Sequence, residues 1–265
     1  MEIKSLSRKT DLIFSKFSGR FINKEHYALI QTPDNPGFHW GNYIIFQKAP
    51  VSGDLKRWKA LFDSSFPYYD KPNHYVFTWE EPSSGSYKEF LDAGFEFDEG
   101  VVLSTSDPVK TQNHNANVVV RKLQSDQDWG YALHNQVRCA DPKYKDCNYE
   151  GFKREQMTQY RKMTDQGMGN WFGAFLGDQL VGDLGIFYEE DIARYQNVGT
   201  DPESRRKGVC QTLVYETARI ALADYGVTTL VMEADAAGHA AKIYQSVGFK
   251  PTEKNYALSW WKKHS

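Results

Sequence analysis

Cysteine is scarce: Cys139, Cys147 and Cys210 are the whole complement in 265 residues. An odd, small number excludes a disulfide-stapled secreted scaffold. Cys139 and Cys147 flank an Asp-Pro-Lys-Tyr-Lys-Asp loop, where pairing or metal binding is open in principle. No second Cys or His pair stands at ligand spacing, so reduced surface thiols and no metal are expected. Long apolar runs are also missing. None approaches the ~20 residues that a membrane-spanning helix needs, so no membrane role is expected. Met1 to Phe17 interleaves Lys4, Arg8, Lys9, Asp11 and Lys16 with Ile3, Leu6, Leu12, Ile13 and Phe17. That lacks the continuous apolar centre of a secretion signal, reads as an amphipathic helix, and points to the cytoplasm. Neither sign of charge dominates: 32 Lys and Arg face 34 Asp and Glu, a formal net charge of -2. This argues against a general nucleic-acid binder and against strongly polyionic partners. Aromatic residues, by contrast, are plentiful at 15%, with 7 Trp and 16 Tyr, which suggests ligand-lined clefts or an extensive interface. The 40% hydrophobic and 25% charged content suits a globular chain with a sizeable core.

The polar stretch Ser104 to Asn117, with one Pro and no large apolar residue, is the best linker candidate. It divides the chain into residues 1–110 and 111–265. The second part opens with the β-branched run Val118-Val119-Val120 and continues with helical stretches near Trp129 to Val137 and Phe152 to Thr164. A hairpin follows, Trp171 to Leu176 and Leu180 to Phe187 about a Gly177-Asp178 turn, because glycine accepts a positive φ. The acidic turn Glu189-Glu190-Asp191 leads to a strand near Arg194 to Thr200. Val209, Leu213, Thr217, Ile220 and Ala221 then fall at helical spacing and stop at Gly226. A strand at Thr228 to Glu233, a helix carrying Ala240, Ile243, Tyr244 and Val247 and ended by Gly248, and a strand at Tyr256 to Trp261 complete a mixed α/β layer pattern.

Phe90-Leu91-Asp92-Ala93-Gly94-Phe95 and Tyr244-Gln245-Ser246-Val247-Gly248-Phe249 stand 154 positions apart. The same offset sets strand-like His74 to Glu80 against Thr228 to Ala234, and the helix opening near Asp54 against that opening at Gly208. Three elements in register point to a duplicated fold. Elsewhere in the first half, Phe38-His39-Trp40-Gly41-Asn42 reads as a buried Trp beside a turn glycine at a strand start, with an acceptor-pocket wall as the alternative.

The chemistry concentrates in Thr200-Asp201-Pro202-Glu203-Ser204-Arg205-Arg206-Lys207-Gly208-Val209-Cys210-Gln211. A strand ends, a basic loop follows, and a helix starts at a glycine. A helix start presents unpaired N–H groups and the positive end of its dipole, which together favour phosphate oxygens. Gly208 would let a ligand approach the backbone. The segment is neither a P-loop nor a dinucleotide glycine pattern, and no HExxH or Gly-x-Ser-x-Gly motif occurs.

Arg205-x-x-Gly208-x-Cys210 after a strand, followed by helix, strand and a helix with Tyr244 and Gly248-Phe249, resembles the GCN5-related N-acetyltransferase (GNAT) family over roughly Asn117 to Lys263. The resemblance implies a GNAT-like mixed sheet flanked by helices, in tandem with a degenerate N-terminal copy. It implies that the amides of about Arg206, Lys207, Gly208, Val209, Cys210 and Gln211 wrap the pyrophosphate of acetyl-CoA, with Arg205 or Lys207 reaching phosphates. Gln196 to Thr200 then lies where such sheets splay, and Val198 or Gly199, just before Thr200, supplies an N–H to the acetyl oxygen in the manner of an oxyanion hole. Tyr244 falls where the family places a hydroxyl beside the thioester sulfur, as general acid. Glu233, at a strand end, is the base candidate, with an exposed structural carboxylate as the alternative. Cys210 replaces the usual final Gly or Ala of the loop, and Ala237 the Asn often found early in the last helix. In the first half, Phe90 replaces the tyrosine and Gln47 to Asp54 lacks the basic cluster. The expected activity is therefore acetyl transfer at one site in the second half, to a primary amine of a small molecule or peptide. A non-catalytic acyl-CoA-binding or protein-interaction module on the same scaffold is the competing class. The acceptor and the oligomeric state are not legible.

Overall fold

The changes of periodicity become elements in the expected order. The computed structural model describes residues 1–69, 72–140, 149–236 and 238–262. In chain order the elements are α1 (Leu6–Ser18), β1 (Arg20–Asn23), β2 (Tyr27–Gln31), β3 (Tyr43–Phe46), α2 (Asp54–Ser65), β4 (His74–Trp79), α3 (Lys88–Asp92) and β5 (Glu96–Thr105). These are followed by β6 (Val119–Lys122), α4 (Asp126–Arg138), α5 (Tyr149–Asp165), β7 (Gly169–Leu176), β8 (Gln179–Glu189) and β9 (Ile192–Thr200). The chain ends with α6 (Val209–Asp224), β10 (Thr229–Asp235), α7 (Ala240–Ser246) and β11 (Lys250–Trp261).

Two compact units result. The first comprises Met1–Val102, Ala234–Gly238 and Thr252–Ser265, and the second Leu103–Glu233 and His239–Pro251. Most of β11 thus completes the first unit, where a single cut at residue 110 would leave it with the second. Within the first unit the strand order is β1-β2-β3-β4-β11-β5; β3 and β4 run parallel, β4 and β11 antiparallel. Its core is largely aromatic. Trp58 stacks on Phe46 at 3.8 Å between centroids, Phe62 stacks on Phe66 at 4.2 Å, and Phe77 and Phe90 are fully buried among them. Much of the aromatic excess therefore fills this interior and not a cleft. Trp40, expected inside, is 45% exposed and meets Tyr43 edge-on. The buried residues of that segment are Gly41 and Asn42; the Asn42 amide donates to Thr32 Oγ1, Asn35 O and Phe38 O, and its Oδ1 accepts from Thr32 N and Tyr68 OH.

The second unit orders its strands β10-β9-β8-β7-β6, with β10 parallel to β9 and the other pairs antiparallel. Successive side chains of a strand point to opposite faces. On β9, Tyr195 donates to Val214 O of α6 while Gln196 donates to the Tyr160 hydroxyl of α5, so α5 and α6 cover opposite faces. A capping box starts α4: Ser125 accepts from Asp128 N, and Asp128 reaches back to the Ser125 amide. The stretch 104–117 is not a free linker. Asn115 N donates to Thr212 Oγ1 at 2.8 Å, Asn115 Nδ2 donates to Lys207 O at 2.8 Å, and His114 Nε2 lies 2.9 Å from Glu216 Oε1. Its polarity serves α6.

The repeat extends to the order and spacing of the elements. Displaced by 154, the first residues of α2, β4, α3 and β5 fall at Gly208, Thr228, Lys242 and Lys250, at or within two residues of the starts of α6, β10, α7 and β11. Gly94 and Gly248 share positive φ values of 85° and 94°.

Candidate active site

In the second unit β9 and β10 pair only from Ile192–Thr229 to Arg194–Val231, although both strands continue. Past Arg194 they part, and the β10-side edge of β9 opens. On its other side β9 stays paired to β8, with Gly199 opposite Asp183 and Thr200 opposite Gly182. The register slips between Asp183 and Gly185, and Asn197 takes φ 49°. Such a bulge re-aims the backbone that follows it. Val198, Gly199 and Thr200 therefore lie on the divergent stretch of β9. The buried Thr200 hydroxyl finds no nitrogen or oxygen partner among the described residues.

Thr200 leads through Asp201, which caps the short turn Pro202–Ser204, into the basic loop. Arg205, Arg206 and Lys207 are exposed. Arg205 Nε lies 3.3 Å from Thr200 O and Lys207 Nζ donates to Glu203 O at 2.9 Å, so the two cations anticipated at phosphates have local partners. Arg206 adopts φ 60°, a left-handed conformation uncommon for a residue with a Cβ. Gly208 is the N-cap of α6 at φ 75°, ψ 1°, and among the described residues no side chain accepts from the amides of Val209, Cys210 or Gln211. The glycine is doubly required. Its conformation is left-handed, and the space a Cβ would fill is taken by Asn113 O. The chain itself, not a ligand, makes that close approach. The amides of Val209, Cys210 and Gln211 that follow are first-turn donors without a helical acceptor.

Tyr244, on α7, is buried. Burial, reinforced by the neighbouring Cys210 thiol, pushes its phenol well above the usual range, so it stays protonated at physiological pH. Cys210 itself is held up at about 11 by burial and remains a thiol. Glu233 Oε1 accepts from Arg194 Nη1 at 2.8 Å. Cys139 is a half-buried free thiol, pushed to about 11 by burial, 3.3 Å from Thr200 O. Cys147 and Ala237 lie outside the described residues. No helix among the described residues is long and apolar enough to cross a membrane.

The first unit repeats the helix start and closes it. Gly53 caps α2 at φ 92°, ψ -3°, but Glu89 Oε1 accepts from Gly53 N at 2.9 Å and Leu55 N at 3.0 Å. Asp54 Oδ2 accepts from Val51 N at 3.0 Å. A carboxylate of the chain occupies the position where α6 leaves its amides open. Motif reading passes over Glu89, and equally over Asp183, a fully buried carboxylate between Gly182 and Leu184. Asp183 had a signal: a lone charge inside the apolar strand run Leu180 to Phe187.

Residues 168–251 match the family model of the acetyltransferase (GNAT) domain. Among solved structures, a functionally unknown conserved protein of Staphylococcus epidermidis is similar over 93% of this chain and 96% of its own, at 15% identity and TM-score 0.77. A GCN5-related N-acetyltransferase from Kribbella flavida covers 100% of this chain and 98% of its own, at 12% identity and TM-score 0.68. A tandem GNAT protein from the clavulanic acid biosynthesis pathway covers 100% and 90%, at 11% identity and TM-score 0.55. At these identities the shared property is the fold. No curated protein matches this chain.

Proposed function

Starting from a GNAT domain at residues 168–251, we propose that this protein is an acetyl-CoA-dependent N-acetyltransferase with one active site, in its second unit. Acetyl-CoA supplies an activated acyl group whose thiolate leaves when an amine attacks the carbonyl. The observation that carries the reading is the parting of β9 and β10 after Arg194, directly upstream of a basic, uncapped helix start. The amides of Arg206 to Gln211 bind the pyrophosphate, since first-turn N–H groups and the helix dipole favour anions. The amide of Val198 or Gly199 polarises the acetyl carbonyl. Tyr244 donates its proton to the leaving thiolate, a role its raised pKa suits because the phenol arrives protonated. Glu233 serves the acceptor side, taking the ammonium proton. The acceptor is a primary amine of a small molecule or peptide.

The competing reading, a non-catalytic acyl-CoA-binding or interaction module, draws on Cys210, whose side chain stands beside Tyr244. Thiol release from acetyl-CoA over a panel of primary amines separates the two. Amine-dependent release that drops in Tyr244→Phe is the expected result. Binding of CoA with no release for any amine would leave the module reading in place.

A further inference from the structure

The bulge on β9 is held by two polar tethers, one from α4 and one from α5. Asn197 O accepts from Gln136 Nε2 of α4 at 2.7 Å, and Asn197 Nδ2 donates to Gln156 Oε1 of α5 at 2.9 Å. Each tether ends on a buried charge. Gln136 Nε2 also donates to Asp183 Oδ2 at 3.1 Å, and the same carboxylate accepts from Asn135 Nδ2 at 2.5 Å and Trp171 Nε1 at 2.7 Å. Gln156 Oε1 also accepts from Lys153 Nζ at 2.8 Å, on a side chain only 6% exposed as a residue. The Asp183 cluster lies against the backbone of the divergent strand. A Cβ built on Gly199 would stand 3.1 Å from Gln136 Nε2, 3.3 Å from Asn135 Nδ2 and 3.4 Å from Asp183 Oδ1.

A buried ionised carboxylate is a poor stabiliser, since well-packed apolar residues in its place are often as stable or more so. It does impose direction: three donors from α4 and β7 must converge on two oxygens. We propose that Asp183 is a positioning residue for acetyl transfer, fixing Gln136 so that the Asn197 carbonyl is held and the amide of Val198 or Gly199 is aimed at the acetyl oxygen. The proposal rests on the N-acetyltransferase reading and adds a residue to it. Burial raises Asp183 to about 7, opposed by its three donors and by Lys153. Lys153 faces it from α5 and is itself lowered to about 8 by burial, while Cys139 faces it from the end of α4. Asn135, Gln136, Trp171 and Gly199 add no charge. Below neutrality the carboxyl gains a proton, can no longer accept from all three donors, and loosens Gln136.

Two variants test this in the full chain. Gln136→Met removes the tether without burying a new charge, and Asp183→Asn replaces one of the two acceptor oxygens with a donor. Both are measured by hydrogen exchange of residues 196–200 without ligand and by calorimetry with CoA and acetyl-CoA. The expected result is a wild type that prefers acetyl-CoA over CoA, and variants with faster exchange at 196–200, CoA affinity kept and that preference lost. Turnover falls by roughly 10- to 100-fold, at or below the cost of removing one oxyanion donor. In wild type the preference also weakens as the pH drops through about 7, and in Asp183→Asn it no longer varies there. A folded Gln136→Met with wild-type exchange, preference and turnover would overturn the proposal, as would equal losses of CoA and acetyl-CoA binding. Wild-type protein that binds neither ligand would overturn the N-acetyltransferase reading, and this proposal with it.

Discussion

Tyr244 and Asp183 show how burial sets a proton's position with opposite uses. The phenol is kept neutral and so can give a proton to a departing thiolate. Replacing Tyr244 by Phe removes one oxygen and leaves the ring in its buried slot. Steady-state kinetics should show kcat lowered by roughly 10²-fold or more, the scale of lost general acid catalysis, with CoA affinity by calorimetry within about twofold of wild type. Asp183 is raised from the ordinary aspartate value of 3.8 to about 7, so its folded form holds a proton that the unfolded chain has already lost. Stability from that proton is complete below 3.8 and disappears as the pH climbs to about 7. Thermal melts between those limits should show wild type losing stability with rising pH relative to Asp183→Asn, and no relative slope above them. A flat difference throughout would mean that the carboxyl is ionised across the range.

Two helices of the same design end in opposite states. Both α2 and α6 begin at a left-handed glycine, but α2 is closed by Glu89 and α6 is open. Gln211→Glu places a carboxylate in the first turn of α6, as Glu89 does for α2. Such a charge favours the helix, so the melting temperature should hold or rise while CoA affinity falls at least about tenfold through repulsion of the phosphates. This is a cleaner probe than any side chain at Gly208, which would have to displace Asn113 and adopt φ 75°. Conversely, Glu89→Gln weakens two charge-assisted bonds at the start of α2. It should cost about 1 kcal/mol in denaturant unfolding, with no effect on CoA binding.

At the scale of the whole chain, the second unit was far more legible than the first. Its hairpin, its basic loop and the alternation from α6 to α7 carry turn glycines and helical spacing. In the first unit β1, β2 and β3 are only four or five residues each, too short for an alternation to stand out although Pro33 to Gly37 marks a turn between β2 and β3, and the aromatics that suggested a cleft mostly fill the core. The last strand starts at Lys250 and not near Tyr256, because its first residues are mostly exposed and polar and carry no apolar signal. The repeat was readable from Phe90 and Tyr244, but the plug at Glu89 was not, since a carboxylate 36 residues from the amide it caps leaves no local pattern. The asymmetry between units makes the central claim countable. Calorimetric titration of CoA into the intact chain, alongside Gln211→Glu, should give one site per chain in wild type and strong weakening in the variant. Two sites per chain, no binding, or unaltered affinity in Gln211→Glu would contradict the assignment of coenzyme binding to the start of α6.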